Sequence, residues 1–542
     1  YIIGIGFSLV LATAALNAPA AWCADDAAEA ARPATLDNIG IDFDRAMRAP
    51  VDERSAQLTR VAAGLEALID NRLDKDRKPA AYYLSGEIQF ALGRYDDASE
   101  SFKEAMKSDK NGVYADDAGF ARILALQADG KDTDAEKEWR KWENRYPESP
   151  LIPEARLARA WNALRRGSLN EADIHLSKIE NDYPYMIEDP RVGLARATVA
   201  YARGNPDDAL ATLSSPDGMQ TAAALYLAGL SYQSSGQMLK AAAQFQTVVE
   251  RHPHSDLRDH AMPAKADIFL DRGAYKTAAE EFEMVTARAA DPNVVAQAEL
   301  RRAACVFLDN DFEGGTQLLR DVTVAHQGTD VAACAQLLLG EVLMSRSQYN
   351  EAILEFNHVL SEYFEHELAA SAQYRVGQCL DALGRHKEAT SAYQLVVSGY
   401  PMAPQSPAAA YLAGVGLLEE NRPQTAAPYF QLVLDRYTGD AGDETIVFTS
   451  PERQELVEAA LCLLEYSYHL TGDLGRLSGV PHLMLQRMPK SPSPWRAYAL
   501  LIDADALAAQ GRFDEAQAML GSLIEEFPEH DAAVPANRLL AW

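Results

Sequence analysis

The sequence predicts an all-α chain: an α-solenoid of about twelve helix-turn-helix repeats, with a period mostly of 37 residues. Three observations predict it. The first is a recurring phrase. ALGRYDDASESF (91–102), SSGQMLKAAAQF (234–245), DRGAYKTAAEEF (271–282) and AQGRFDEAQAML (509–520) each place Gly, then Ala five residues on, then a large apolar residue nine residues on. The second is the spacing. Alignment on that Gly gives twelve anchors: Gly93, Gly130, Gly167, Gly204, Gly236, Gly273, Asn310, Ser347, Gly384, Asn421, Gly472 and Gly511. Eight of their eleven intervals are 37 residues. The third is a stop signal seventeen residues after the anchor in several repeats, namely Pro147, Pro184, Pro253, Pro401 and Pro528. Proline ends a helix and pushes the residue before it towards an extended backbone.

The elements follow in chain order. Residues 1–16 are apolar and uncharged, and Ala18-Pro19-Ala20 fits a small-x-small cleavage pattern. Residues 1–24 therefore read as a secretory signal peptide that lacks its basic start, which implies an exported protein. Cys23 follows Trp22, which departs from the small residue normal before a lipidated cysteine. Residues 25–40 are Ala-rich and polar and read as a flexible arm. Residues 41–77 carry apolar Leu58, Val61, Leu65, Leu68 and Ile69 but no anchor, and are expected to cap the first repeat.

The repeat array proper spans 78–437. Its anchor is a residue that tolerates left-handed backbone, as a tight link between two helices requires. Small residues recur five after the anchor (Ala98, Ala241, Ala389) and seven before it (Gly86, Ala160, Gly229, Gly340, Gly377, Gly414). The bulky residue nine after the anchor lies on the same face of the second helix as the small one. Two irregularities interrupt the period. One interval is only 32 residues and holds Ser214–Gly218; another is 51 and holds an insertion at 438–453. That insertion contains the strand-like run Ile446-Val447-Phe448 and ends with Thr449 or Ser450 placed to cap a helix opening at Pro451-Glu452. It reads as a surface loop in a drifted repeat, or as a loop shaped for a partner. Residues 454–542 return to the repeat, although Leu477 and Pro481 replace the small and bulky residues of the eleventh.

These positions resemble the tetratricopeptide repeat family over about residues 78–542. The small residues, turn Gly, Ala, aromatic and terminal Pro fall in that family's order, with a period longer than its usual ~34 residues. The longer loop and its ending Tyr146-Pro147-Glu148-Ser149 are similar to bacterial envelope members, such as the BamD subunit of the outer-membrane barrel assembly machine and the Tol–Pal-associated protein CpoB. The resemblance implies a right-handed superhelix whose first helices line a groove that binds proteins or peptides. Candidate groove residues are Tyr83, Tyr226, Tyr374 and Tyr411, ten before their anchors, with Glu87, Asp267, Glu341 and Gln378 one turn on. Leu or Phe fills the tyrosine position in other repeats, which favours core rings with tipped hydroxyls over groove contacts.

Composition narrows function further. The formal net charge of −29 repels phosphate backbones and anionic lipid heads, so nucleic acid is not an expected partner. No later segment is apolar enough to span a bilayer. There is no Gly-rich phosphate loop, HExxH or GxSxG phrase, so no catalytic, cofactor-binding or metal site is expected. His252, His254 and His260 read as solvated, and Cys305, Cys334, Cys379 and Cys462 as small residues within helices. The expectation is a non-enzymatic protein-binding scaffold in the periplasm or cell envelope of a bacterium, in outer-membrane or cell-wall assembly or another membrane-associated complex. The alternatives are a spacer subunit of a surface or secretion complex and, less favoured, an enzyme or ligand-binding protein.

Overall fold

The computed structural model describes residues 35–49, 51–70, 73–109, 112, 114–214, 219–438, 446, 448–473 and 493–541. The signal-peptide reading, Leu477 and Pro481 lie outside them, as do residues 439–445 and 447 of the insertion. Among the described residues are twenty-six α-helices and no strand. The chain divides into two compact units. One runs to Thr277 and includes Arg288–Asp291; the other comprises Ala278–Ala287 and the chain from Pro292. In each, successive helices pack pairwise as an α-solenoid does.

The turn between paired helices is the most uniform feature. All twelve anchors have positive φ, including Asn310 (68°), Ser347 (60°) and Asn421 (60°). The residue after each anchor donates its N–H back to the carbonyl five residues earlier: Arg94 to Gln89 at 2.9 Å, Arg385 to Leu380 at 2.8 Å, Arg512 to Leu507 at 3.0 Å. This bond satisfies a carbonyl that the helix end leaves orphaned, and it needs a left-handed residue to form.

Packing follows from the small and bulky positions. Ala98, Ala241 and Ala389 are fully buried, and so are Phe245, Phe282, Phe356 and Phe430. The glycine seven before the anchor lies under the ring nine after it. A Cβ on Gly86, Gly229 or Gly340 would stand 2.5 Å from the rings of Phe102, Phe245 and Phe356. On Gly414 it would stand 2.7 Å from Phe430. Where the small residue is Ala160, Ala197, Ala303 or Ala504, the partner is Leu176, Leu213, Leu319 or Leu520, all buried. In these repeats glycine makes room for an aromatic ring and alanine for a leucine, whereas the same offsets carry Ile123 with Trp139 and Ala266 with Phe282 elsewhere. The prolines act as expected: Tyr146, Tyr183, His252, Tyr400 and Phe527 leave the helix with φ between −125° and −134°.

Four details differ from the sequence reading or refine it. The first helix is Leu36–Arg48, so it begins inside the stretch read as an arm. Thr35 caps it by accepting from Asn38 N, and Leu36 and Ile39 bury against Leu65 and Ile88. Ile446 and Phe448 carry no regular structure; with no strand among the described residues to pair with, Ile446 joins a helical core that includes Val433 and Leu461. Ser450 caps helix Pro451–Thr471 by accepting from Arg453 N, and that helix runs 21 residues. In the 32-residue repeat the second helix, Pro206–Leu213, is shortened to 8 residues.

Candidate binding surfaces

The eight candidate groove residues sit on first helices, four in each unit, and their surroundings differ. In the N-terminal unit, Tyr83 and Glu87 lie one turn apart on helix Lys78–Ala91. The Tyr83 ring packs edge-on to Phe102 (centroids 5.5 Å apart) and tilts against Tyr114 at 5.9 Å. Its hydroxyl hydrogen-bonds the Glu87 carboxyl. Burial, then Asp44 and Asp117 from the flanking first helices Leu36–Arg48 and Ala115–Ala128, push Glu87 up to about 8. Burial and the neighbouring Glu87 push the Tyr83 hydroxyl up as well. No Lys or Arg of the described residues forms an ion pair with Asp44, Glu87 or Asp117, which lie on three successive first helices. Tyr226 tilts over Phe245 at 5.4 Å, and Asp267 is half-buried on helix Leu257–Asp271.

In the C-terminal unit the candidates answer one another. Arg375 donates from Nε and Nη2 to Glu341 Oε1 (3.0 and 2.8 Å) and from Nη1 to Gln378 Oε1 (2.9 Å). Gln378 also hydrogen-bonds the Tyr374 hydroxyl. Two first helices, Asp330–Ser345 and Leu368–Ala382, are tied together by this network. Tyr374 tilts on Tyr393 (5.7 Å) and Tyr411 stands edge-on to Phe430 (6.1 Å). All four candidate tyrosines therefore rest on the bulky residue of their own repeat, which makes their rings part of the packing. A cavity of about 180 Å³ lies nearby, between helices of this unit, lined by Asp381, His386, Thr390, Tyr393, Leu412 and Glu419. Tyr393 donates to Asp381 there at 2.8 Å.

A further cluster escaped sequence reading. Glu136, Glu171 and His175 bring their ligating atoms within 4.8 Å of one another. Glu171 and His175 are four residues apart on helix Leu169–Asp182, one face of one helix, while Glu136 comes from helix Asp132–Arg145. The i, i+4 spacing was visible; the third member, 35 residues before Glu171, was not. Arg159 bonds Glu136 through Nε (3.2 Å to Oε2) and Nη2 (2.5 Å to Oε1). Burial alone would raise Glu136, and the Arg159 bonds hold it below the carboxylate range. Burial and then Arg159 push the His175 imidazole down to about 4. His252, His254 and His260 form no such group.

Residues 280–406 match a family profile described as a tetratricopeptide repeat-like domain. Residues 223–255 and 498–530, and separately 79–111, match two profiles described as tetratricopeptide repeat. No curated protein matches the chain. Among solved structures, the chain is similar to a tetratricopeptide repeat protein from Parabacteroides merdae ATCC 43184. Identity is 12% and the TM-score 0.32, covering 57% of this chain and 99% of that one. It is also similar to the APC/C hetero-tetramer Cut9–Hcn1, at 16% identity and a TM-score of 0.29, covering 78% of this chain and 87% of that one.

Proposed function

The chain is a tetratricopeptide-repeat protein, and from that premise we propose that it is a non-enzymatic scaffold. Its first-helix face holds a positively charged segment of a partner protein. The observation that carries this reading is the acidic group around Glu87, a half-buried carboxyl next to Tyr83, whose ring packs against Tyr114, with the charges of Asp44 and Asp117 acting on it from the flanking first helices. Like charges meeting without a counter-ion are unfavourable in the free protein, and a lysine or arginine of a partner relieves that cost on binding. Aromatic faces beside the carboxyls suit the same cation. The C-terminal network of Arg375, Glu341 and Gln378 is already neutralised, so it serves chiefly to brace two helices.

We assign the scaffold to the bacterial envelope, within a membrane-associated assembly, on the strength of the apolar start 1–16. No helix among the described residues is long and apolar enough to cross a membrane. The alternative is a spacer that touches neighbours only through its ends. Crosslinking in intact cells with the tagged full chain separates the two. Glu87→Lys is expected to cut recovery of one or two stoichiometric partners at least tenfold, with Glu341→Ala nearly neutral. Partners indifferent to Glu87→Lys would favour the spacer. A cation prefers the deprotonated carboxyl, so affinity for the purified partner is expected to rise as pH climbs from 6 towards 8, and to fall with salt.

A further inference from the structure

We propose that Glu136, Glu171 and His175 form a binding site for a divalent transition metal of the zinc class. The geometry is that of a three-point ligand set. Three donor groups from two helices bring their ligating atoms within 4.8 Å of one another, a spacing that small rotamer adjustments close to the reach of one ion. His175 supplies the observation that points to a ligand. Its side chain is 4% exposed, and its Nδ1 is buried with no hydrogen-bond partner. A buried polar atom left unpaired costs free energy, and native interiors rarely tolerate one without a reason.

The surroundings decide which ion fits. Glu136 accepts bonds from Arg159 Nε and Nη2 and from Arg140 Nε (3.1 Å). Glu171 accepts from Arg166 Nη2 at 2.7 Å, through Oε2. An ionised carboxylate has about four acceptor directions, so each of these still offers one to a metal. The arginines fix the carboxylates as outer partners commonly fix metal ligands. They also oppose a bare positive charge. Calcium and magnesium, which depend on charge and six or more oxygen donors, are therefore disfavoured. An imidazole nitrogen with two carboxylate oxygens suits zinc or cobalt, with water completing the coordination. The ion would clamp the second helices of two adjacent repeats.

The test uses the chelator-treated full chain. Calorimetric titration with zinc chloride is expected to show one saturable site, and excess zinc to raise the unfolding midpoint by about 3–5 °C. Cobalt is expected to give a visible ligand-field band that zinc abolishes, and magnesium at the same concentration to do neither. Glu171→Gln, at a half-buried position that leaves the fold intact, is expected to weaken zinc at least tenfold and erase the cobalt band. His175→Gln should do the same, and His254→Gln should not. No saturable zinc or cobalt binding by the wild-type chain overturns the proposal. So does binding whose affinity and cobalt band are unchanged in Glu171→Gln.

Discussion

In the repeat built from helices Asp330–Ser345 and Tyr349–Glu362, the residue seven before the turn is Gly340, and the fully buried Phe356 ring fills the space over it. In helix Pro451–Thr471 the same position, seven before Gly472, carries Glu465. Its side chain is wholly buried and neither carboxyl oxygen has a hydrogen-bond partner. Asp503, on helix Pro494–Ala509, is its buried neighbour. The first repeat is held at this position by shape, a contact that contains no titratable group. The second sets two acids where shape should be, and a buried acid without a partner is stable only in its neutral form. The two regions thus obey the same backbone rule at the turn and opposite rules in the core.

The steric side of this comparison breaks most sharply with Gly340→Val, which drives a branched side chain into Phe356. We expect a loss of about 3 kcal/mol, read from the urea midpoint and from hydrogen exchange in the two helices. Gly340→Ala with Phe356→Leu reproduces the pairing of Ala303 with Leu319. That double variant should recover most of what Gly340→Ala loses alone, and a purely additive double-mutant cycle would refute the pairing rule.

Next comes the acid pair. Burial first, then Asp503, pushes Glu465 well above the carboxylate range, and burial pushes Asp503 up to about 8. An acid whose folded pKa exceeds its unfolded value holds its proton more tightly when folded. Its stabilising contribution is therefore complete below about pH 4 and is lost as pH rises towards 8. The C-terminal unit should unfold at a lower urea concentration at pH 8 than at pH 5. Glu465→Gln should flatten that slope and gain on the order of 1–3 kcal/mol at pH 8. An unchanged slope in that variant would place the titrating group elsewhere.

The smallest effect belongs to the turn that both regions share. Ser347 adopts φ 60° where most anchors are glycine. Ser347→Gly should stabilise by about 1 kcal/mol, while Gly273→Ala should cost a similar amount, in thermal unfolding of the full chain.

What the sequence revealed follows this division. The anchors were legible because a left-handed turn restricts residue choice to Gly, Asn and a rare Ser. The Gly–Phe and Ala–Leu positions were legible because both members sit at fixed offsets within one repeat. Contacts between repeats left no such trace. Arg375 reaches Glu341 across 34 positions, and Arg159 joins Glu136 across 23. Charged residues abound in an acidic chain, and nothing in the sequence says which of them meet. The carboxyls around Glu87 were hidden for the same reason, since Asp44 and Asp117 belong to other helices. Glu465 was overlooked because the small-residue pattern marks where the rule holds and is silent where it fails.

The ring that covers Gly86 is Phe102, and every such pair closes within 16 residues of its own repeat. Contacts this short in sequence sacrifice little chain entropy when they form, so they favour fast folding. Each helical hairpin then carries its own nucleus, and the chain can acquire structure progressively as it is synthesised, one hairpin templating the next. The repeat around Glu465 carries an acid where the others have the small residue that seats the ring. It should be the last to order, which limited proteolysis of the refolding chain would show.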